Sequence, residues 1–297
     1  MKRVCSVLLA VLMLLSTVTA FAADTTVKAT AITVEKSVYH FSISDFQCEA
    51  INITVTFSSK SKYDDYEAVK AVSSNKKVVK TDPDWRSGSR KMTFIIYPKS
   101  LGTATITFKT KSGIKATCKV IVDKVYFLGI RGYTYRLKNI PSAKINGKTC
   151  QTWHSTDKKV VKTEKGTFKC LKADKNTALT KKVNGRTYKI YVLAKTKSDL
   201  LDMITPKAEN FDNEHQKMLG EPQVYIKRFD NKYITSVHYY YKTDEYIKDG
   251  YGYYWCMWYT EDLCNSSQGL QIDSPAGEGS PCKKSDVGKK CTPQFGA

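Results

Sequence analysis

Along residues 51–57, apolar Ile51, Ile53, Val55 and Phe57 alternate with polar Asn52, Thr54 and Thr56, so one row of side chains faces a core and the other faces water. The stretches 92–97, 103–108 and 116–122 alternate in the same way, and Lys111-Ser112-Gly113 between the last two predicts a hairpin turn. Short strands rich in Val, Ile, Thr and Tyr predict a mainly β protein built as sandwiches. From Ser198 the texture changes. Leu200, Leu201, Met203 and Ile204, then Phe211, His215, Met218 and Leu219 beyond Pro206, predict one or two short amphipathic helices stopped by Gly220-Glu221-Pro222. Residues 224–226, 234–241 and 252–259 predict antiparallel strands with turns at Asp230-Asn231 and near Asp249-Gly250, which makes the last third a small α+β domain.

At the start of the chain, Lys2 and Arg3 precede an apolar stretch over 4–18, and Ala20-Phe21-Ala22 supplies a small-x-small pattern. This predicts a signal peptide over 1–22, cleaved after Ala22 or Ala23. An uncleaved anchor would need about 20 apolar residues. The expected mature protein is secreted or attached to the cell surface, with no later apolar run long enough to span a bilayer.

A repeat sets the module boundaries. Ser73-Ser74-Asn75-Lys76-Lys77-Val78-Val79-Lys80-Thr81 returns as Ser155-Thr156-Asp157-Lys158-Lys159-Val160-Val161-Lys162-Thr163. A spacing of 82 residues is too long for a solenoid unit, so two tandem copies of one domain are expected, over 23–123 and 124–197, followed by a third domain over 198–297. The order S-S-N-x-x-V-V, then Leu101-Gly102-Thr103-Ala104-Thr105-Ile106-Thr107, then a last strand ending Val120-Ile121-Val122, resembles the bacterial Ig-like group 2 domain. The resemblance implies Ig-like β-sandwiches of the kind found in tandem on bacterial surface and secreted proteins. The second copy matches through Trp153-His154-Ser155-Thr156-Asp157 and departs where Asn176-Thr177-Ala178-Leu179 replaces G-T-A-T-I; the first has Ala71 at the tryptophan position.

Charge is concentrated in one module. Lys and Arg number 19 against 3 Asp and Glu over 124–197, compared with 16 against 10 over 24–123 and 11 against 15 over 198–297. A surplus that large exceeds what solubility of a small domain requires. It points to an anionic wall polymer, an acidic glycan or a surface protein as partner, with Lys158, Lys159, Lys162, Lys181, Lys182 and Arg186 as contacts. No helix-turn-helix, zinc-finger or RNA-binding signature is present, which argues against sequence-specific nucleic-acid recognition. Ten of the 19 tyrosines fall in 198–297. Tyr239, Tyr241, Tyr253, Trp255 and Trp258 are therefore candidate sugar-stacking residues, although alternate tyrosines also stabilise a sheet by cross-strand pairing.

Removing the signal leaves eight cysteines in even sets: Cys48 and Cys118, then Cys150 and Cys170, then Cys256, Cys264, Cys282 and Cys291. Export predicts disulfides within each module, and the last four allow three connectivities. Zinc is the rival ligand for those four, disfavoured by the lack of C-x-x-C pairs. The tail over 274–297 reads as a loop tied down by a disulfide. No metal site and no cofactor are expected. Only four histidines are present, and H-E-x-x-H, G-x-S-x-G, Walker A and dinucleotide fingerprints are missing. A binding protein is expected rather than an enzyme. The alternative is a small secreted enzyme or enzyme inhibitor acting through 198–297, with Asp212, His215 and His238, or Cys256 with His238, as its chemistry.

Overall fold

The structure, a computed structural model, describes residues 26–295 apart from 45–47, 61–65, 83, 87, 207–209, 211–213, 245–252 and 274–276. The expected signal peptide, Phe211, Asp212 and the turn near Asp249-Gly250 lie outside the described residues.

The chain is mainly β. Its first part contributes β1 (Ala29–Val34), β2 (Val38–Ile43), β3 (Glu49–Phe57), β4 (Val69–Ser73), β5 (Val79–Thr81), β6 (Lys91–Pro98), β7 (Gly102–Thr110) and β8 (Lys115–Ile130). One sheet runs β1-β3-β6-β5; the other places β4, β7, β8 and β2 side by side, with β2 parallel to β8. That division of strands is the order of an immunoglobulin-type sandwich. The alternation in β3 does what it predicts: Ile51, Ile53 and Val55 are buried, and the threonines and asparagine between them are exposed. Phe94 of one sheet meets Phe108 of the other edge to face, with ring centroids 5.2 Å apart.

The second module has β9 (Thr134–Arg136), β10 (His154–Ser155), β11 (Val161–Glu164), β12 (Thr167–Cys170), β13 (Asn176–Val183) and β14 (Arg186–Lys195). Its sheets, β9-β12-β11 and β10-β13-β14-β8, repeat the order of β3-β6-β5 and β4-β7-β8-β2 in the first module, with no strand in the place of β1 among the described residues. The sequence repeat marks the same turn in both. Lys77 N donates to Asn75 Oδ1 at 3.2 Å, and Lys159 N donates to Asp157 Oδ1 at 2.8 Å. Val78 and Val79 N both donate to Asn75 O, as Val160 and Val161 N do to Asp157 O. Ser74 and Thr156 likewise exchange hydrogen bonds with Thr105 and Ala178. The divergent segment Asn176-Thr177-Ala178-Leu179 thus occupies the place of Thr103-Ala104-Thr105-Ile106.

The expected boundary at 123/124 falls inside β8. The first half of this 16-residue strand pairs antiparallel with β7, and its second half, from Lys124 to Ile130, pairs parallel with β14. One strand therefore closes the first sandwich and opens the second. A single apolar cluster runs from Ala29 to Ala194 across both.

The last third consists of α1 (Lys197–Ile204), β15 (Gln216–Phe229), β16 (Lys232–Thr243), β17 (Tyr254–Ser266), β18 (Gly269–Asp273) and β19 (Gly277–Pro281). Thr196 caps α1 in a reciprocal capping box with Asp199. Leu200 and Ile204 pack with Leu128 and Ile130 of β8 and with Tyr233 and Leu263 of the sheet. Two expectations need correction here. The helical reading of His215, Met218 and Leu219 fails, because Gln216 to Leu219 pair with β16 as strand; Gly220 (φ 74°), Glu221 and Pro222 form a bulge between paired residues Leu219 and Gln223. The tail is not all loop, because β19 pairs with β17. The Asp230-Asn231 turn stands as expected, with Asp230 at φ 49°.

Candidate functional site

Register decides which side chains of the last sheet share a face. His238 lies opposite Trp258 and Tyr240 opposite Cys256, so His238 and Cys256 are diagonal neighbours on one face. Residues 289–294 of the tail cross that face, held by side chains rather than by strand pairing. Gln223 Nε2 donates to Lys289 O at 2.7 Å, and Cys291 N donates back to Gln223 Oε1 at 2.8 Å. Tyr225 Oη donates to Cys291 O at 3.2 Å, and Gln294 N to Ser236 Oγ at 2.9 Å. These bonds set Cys291 above the sheet. One ligand atom from each of His238, Cys256 and Cys291 then lies within 4.8 Å of the other two.

His238 is 3% exposed, and Ser236 Oγ lies 3.0 Å from its Nε2. Burial lowers its pKa, leaving a neutral imidazole with a lone pair. Burial pushes the Cys256 thiol up to about 11, and the neighbouring Cys291 and Cys282 sulfurs act in the same direction. Cys256 therefore carries no activated thiolate of the kind a thiol protease uses. Burial raises the Cys282 thiol pKa as well.

The expected disulfides are not formed among the described residues: no two of Cys48, Cys118, Cys150, Cys170, Cys256, Cys264, Cys282 and Cys291 are joined. Cys118 and Cys170 are buried in their own strands, and that burial raises their pKa to about 11 and about 12. Cys264 sits eight residues along β17 from Cys256, roughly 27 Å at strand rise.

The basic candidates fall into two groups in different sheets. Lys158 and Lys159 lie on the turn before β11 and Lys162 on it, all exposed; Lys181, Lys182 and Arg186 lie at the β13–β14 hairpin. Lys162 pairs with Glu164 at 3.1 Å, Lys181 Nζ donates to Thr152 Oγ1 at 2.7 Å, and Arg186 donates to Thr103 Oγ1 at 3.2 Å. Lys181 and Lys182 also line a depression of about 420 Å³ with Thr152, Trp153, His154, Thr180 and Thr187. In its wall, the buried Trp153 Nε1 has no hydrogen-bond acceptor.

The aromatic candidates do not form one platform. Tyr239 is buried, packed between Tyr241 and Tyr259, and leaves the set of surface contacts. Tyr241 stacks on Trp255 with centroids 6.3 Å apart, and Trp258 belongs to the opposite face with His238. Tyr253 is 42% exposed and lines a separate depression of about 400 Å³ with Glu214, His215, Lys242 and Asp244. There His215 Nδ1 meets Asp244 Oδ2 at 2.7 Å, and this hydrogen bond lowers the Asp244 pKa. His238 is not among the described residues that line it.

No family model matches the chain, and no curated protein matches it. Domains 5–6 of the S-layer protein SbsC are 18% identical over 57% of this chain and 99% of theirs, with a TM-score of 0.27. Extracellular cadherin domains 1–4 of protocadherin gamma B7 are 10% identical over 85% of this chain and 76% of theirs, at 0.22. The SGBP-B protein of the Bacteroides ovatus mixed-linkage glucan utilization locus, solved with a heptasaccharide, is 11% identical over 82% and 70%, at 0.19. Such values bear on neither function nor family. Among the described residues no helix is long and apolar enough to cross a membrane.

Proposed function

We propose that the protein is a secreted or surface-associated binding protein whose paired Ig-like sandwiches, of the bacterial group 2 kind, hold a polyanion-contacting second module away from its attachment. The observation that carries this reading is the charge of residues 124–197, 19 basic against 3 acidic. Among the described residues of that module, only Lys162 and Lys195 have a carboxylate within 4 Å. Most of the remaining cations are exposed, and none has a carboxylate partner among the described residues, a surface that attracts acidic polymers by screened Coulomb forces. The depression at Lys181 and Lys182 suits an acidic sugar unit, with the two ammonium groups and the hydroxyls of Thr152, Thr180 and Thr187 around it.

The test is cosedimentation of the full chain with an acidic and a neutral polysaccharide across a salt series. Deleting the second module would cut β8, so charge-removing substitutions are the right variants. Pelleting with the acidic polymer at low salt, lost on raising salt and weakened in K158Q/K159Q and K181Q/K182Q, supports the reading. Equal pelleting with both polymers, or with neither, overturns it.

A further inference from the structure

We propose that His238, Cys256 and Cys291 bind a thiophilic divalent cation of the zinc class as a three-ligand site, with water completing the tetrahedron. The three primary ligands come from three separate segments, β16, β17 and the tail, and their ligand atoms already lie within 4.8 Å of one another. A tetrahedral ion with about 2.3 Å bonds to sulfur and 2.0–2.1 Å to nitrogen would draw them roughly an ångström closer. Two cysteines and one histidine make a three-ligand set that zinc takes where a water fills its fourth position.

The surroundings fit as well. His238 Nε2 is engaged by Ser236 Oγ at 3.0 Å, and that hydroxyl accepts from Gln294 N; such outer bonds orient a liganding imidazole. Tyr240 Oη lies 3.2 Å from Cys291 Sγ, placed to donate to a thiolate. Cys256 and Cys291 are half-buried, which leaves a path for the ion. Binding would release the thiol protons to solvent and convert them to thiolates, so affinity rises with pH. A disulfide between Cys256 and Cys291 would use both of these sulfurs and leave the buried imidazole without a partner in the cluster. The cation instead joins all of them and fastens the tail to the sheet.

The test is titration of the reduced full chain, under anaerobic conditions, with Co²⁺. One equivalent should produce thiolate-to-cobalt charge-transfer bands and tetrahedral d–d absorption, both abolished by added Zn²⁺. C256S and H238A should each weaken binding at least tenfold, whereas C264S, whose sulfur lies elsewhere on β17, should bind as the parent does. Thermal melts of the apo variants separate lost ligands from lost folding. The proposal is overturned if no cobalt bands form, if they persist unchanged in both C256S and C291S, or if peptide mapping of unreduced protein shows Cys256 and Cys291 joined.

Discussion

The guanidinium of Arg228 stands over the ring of Phe127, its Cζ 4.0 Å from the centroid. It also lies 4.6 Å from the Tyr135 ring and 5.2 Å from that of Tyr233, and its Nη1 donates to Leu128 O at 3.1 Å. The Tyr135 and Tyr233 hydroxyls meet at 2.7 Å, so side chains of both modules enclose one cation. Removing it takes the guanidinium donor from two carbonyls, Leu128 O and Asp230 O, and leaves three rings without their charge. Arg228→Ala should cost about 3 kcal/mol, from a desolvated cation–π contact and a charged hydrogen bond. Arg228→Lys should recover only part, because lysine lacks the planar fork. Urea unfolding of the two variants, followed by tyrosine fluorescence, measures both.

The repeated turn gives a matched pair. Asn75 and Asp157 each accept a backbone N–H two residues on and lead into the buried valines of β5 and β11. Asn75→Ala and Asp157→Ala should each lose about 1 kcal/mol. Asp157→Asn should lose little, since asparagine fills the same role at position 75. Thermal melts that show unequal losses would mean that the two turns do not carry equal weight.

Glu67 predicts an acid-sensitive step in the first module. Its carboxylate is buried and accepts from Ala29 N at 3.0 Å, Ser112 N at 2.5 Å and Ser112 Oγ at 2.8 Å. Burial alone would raise its pKa, but these bonds outweigh burial and hold it below the ordinary value. A carboxyl with a lowered folded pKa adds stability above its unfolded pKa, about 4.3, and loses it as pH falls through the folded value. Glu67→Gln should therefore destabilise at neutral pH by about 1–3 kcal/mol and flatten the acid limb of a stability–pH curve. An unchanged acid limb would rule Glu67 out as its source.

Gly102 tests the contact between the sandwiches. At φ 146° it sits where an added Cβ would come within 2.3 Å of Asn146 Oδ1 and 2.7 Å of Val78 Cγ2. That same Oδ1 accepts from Thr103 N, and Asn146 N donates to Leu101 O. Gly102→Ala should cost about 2–4 kcal/mol through backbone strain and the displaced asparagine. Limited proteolysis near residues 139–148 should accelerate in step with the lost stability.

The two sandwiches were readable because their signals are local. Alternation in β3 and β7 names the buried face, and the shared K-K-V-V-K-T marks the same turn twice. The continuity of β8 was hidden, since the charged Asp123-Lys124 splits Val120-Ile121-Val122 from Val125-Tyr126-Phe127-Leu128 and reads as a boundary, while in the fold only the partners change along the strand. Met218 and Leu219 fit a helical period as well as a strand, and the pairing with β16 decided between them. The His238, Cys256 and Cys291 group could not be seen by spacing, because it depends on the register of two strands and on where a tail without regular structure is pinned. The alternation of β16 and β17, once their turn is placed, is the signal that puts His238 and Cys256 on one face.

The continuity of β8 also governs how the molecule carries load. A chain pulled from both ends through separate domains extends first at the linker. Here no slack segment lies between the sandwiches: tension entering at Lys115 travels along one extended backbone to Ile130, clamped in shear by β2 on one stretch and by β14 on the next. A pull along β8 therefore meets hydrogen-bonded pairing in both sandwiches with no linker between them.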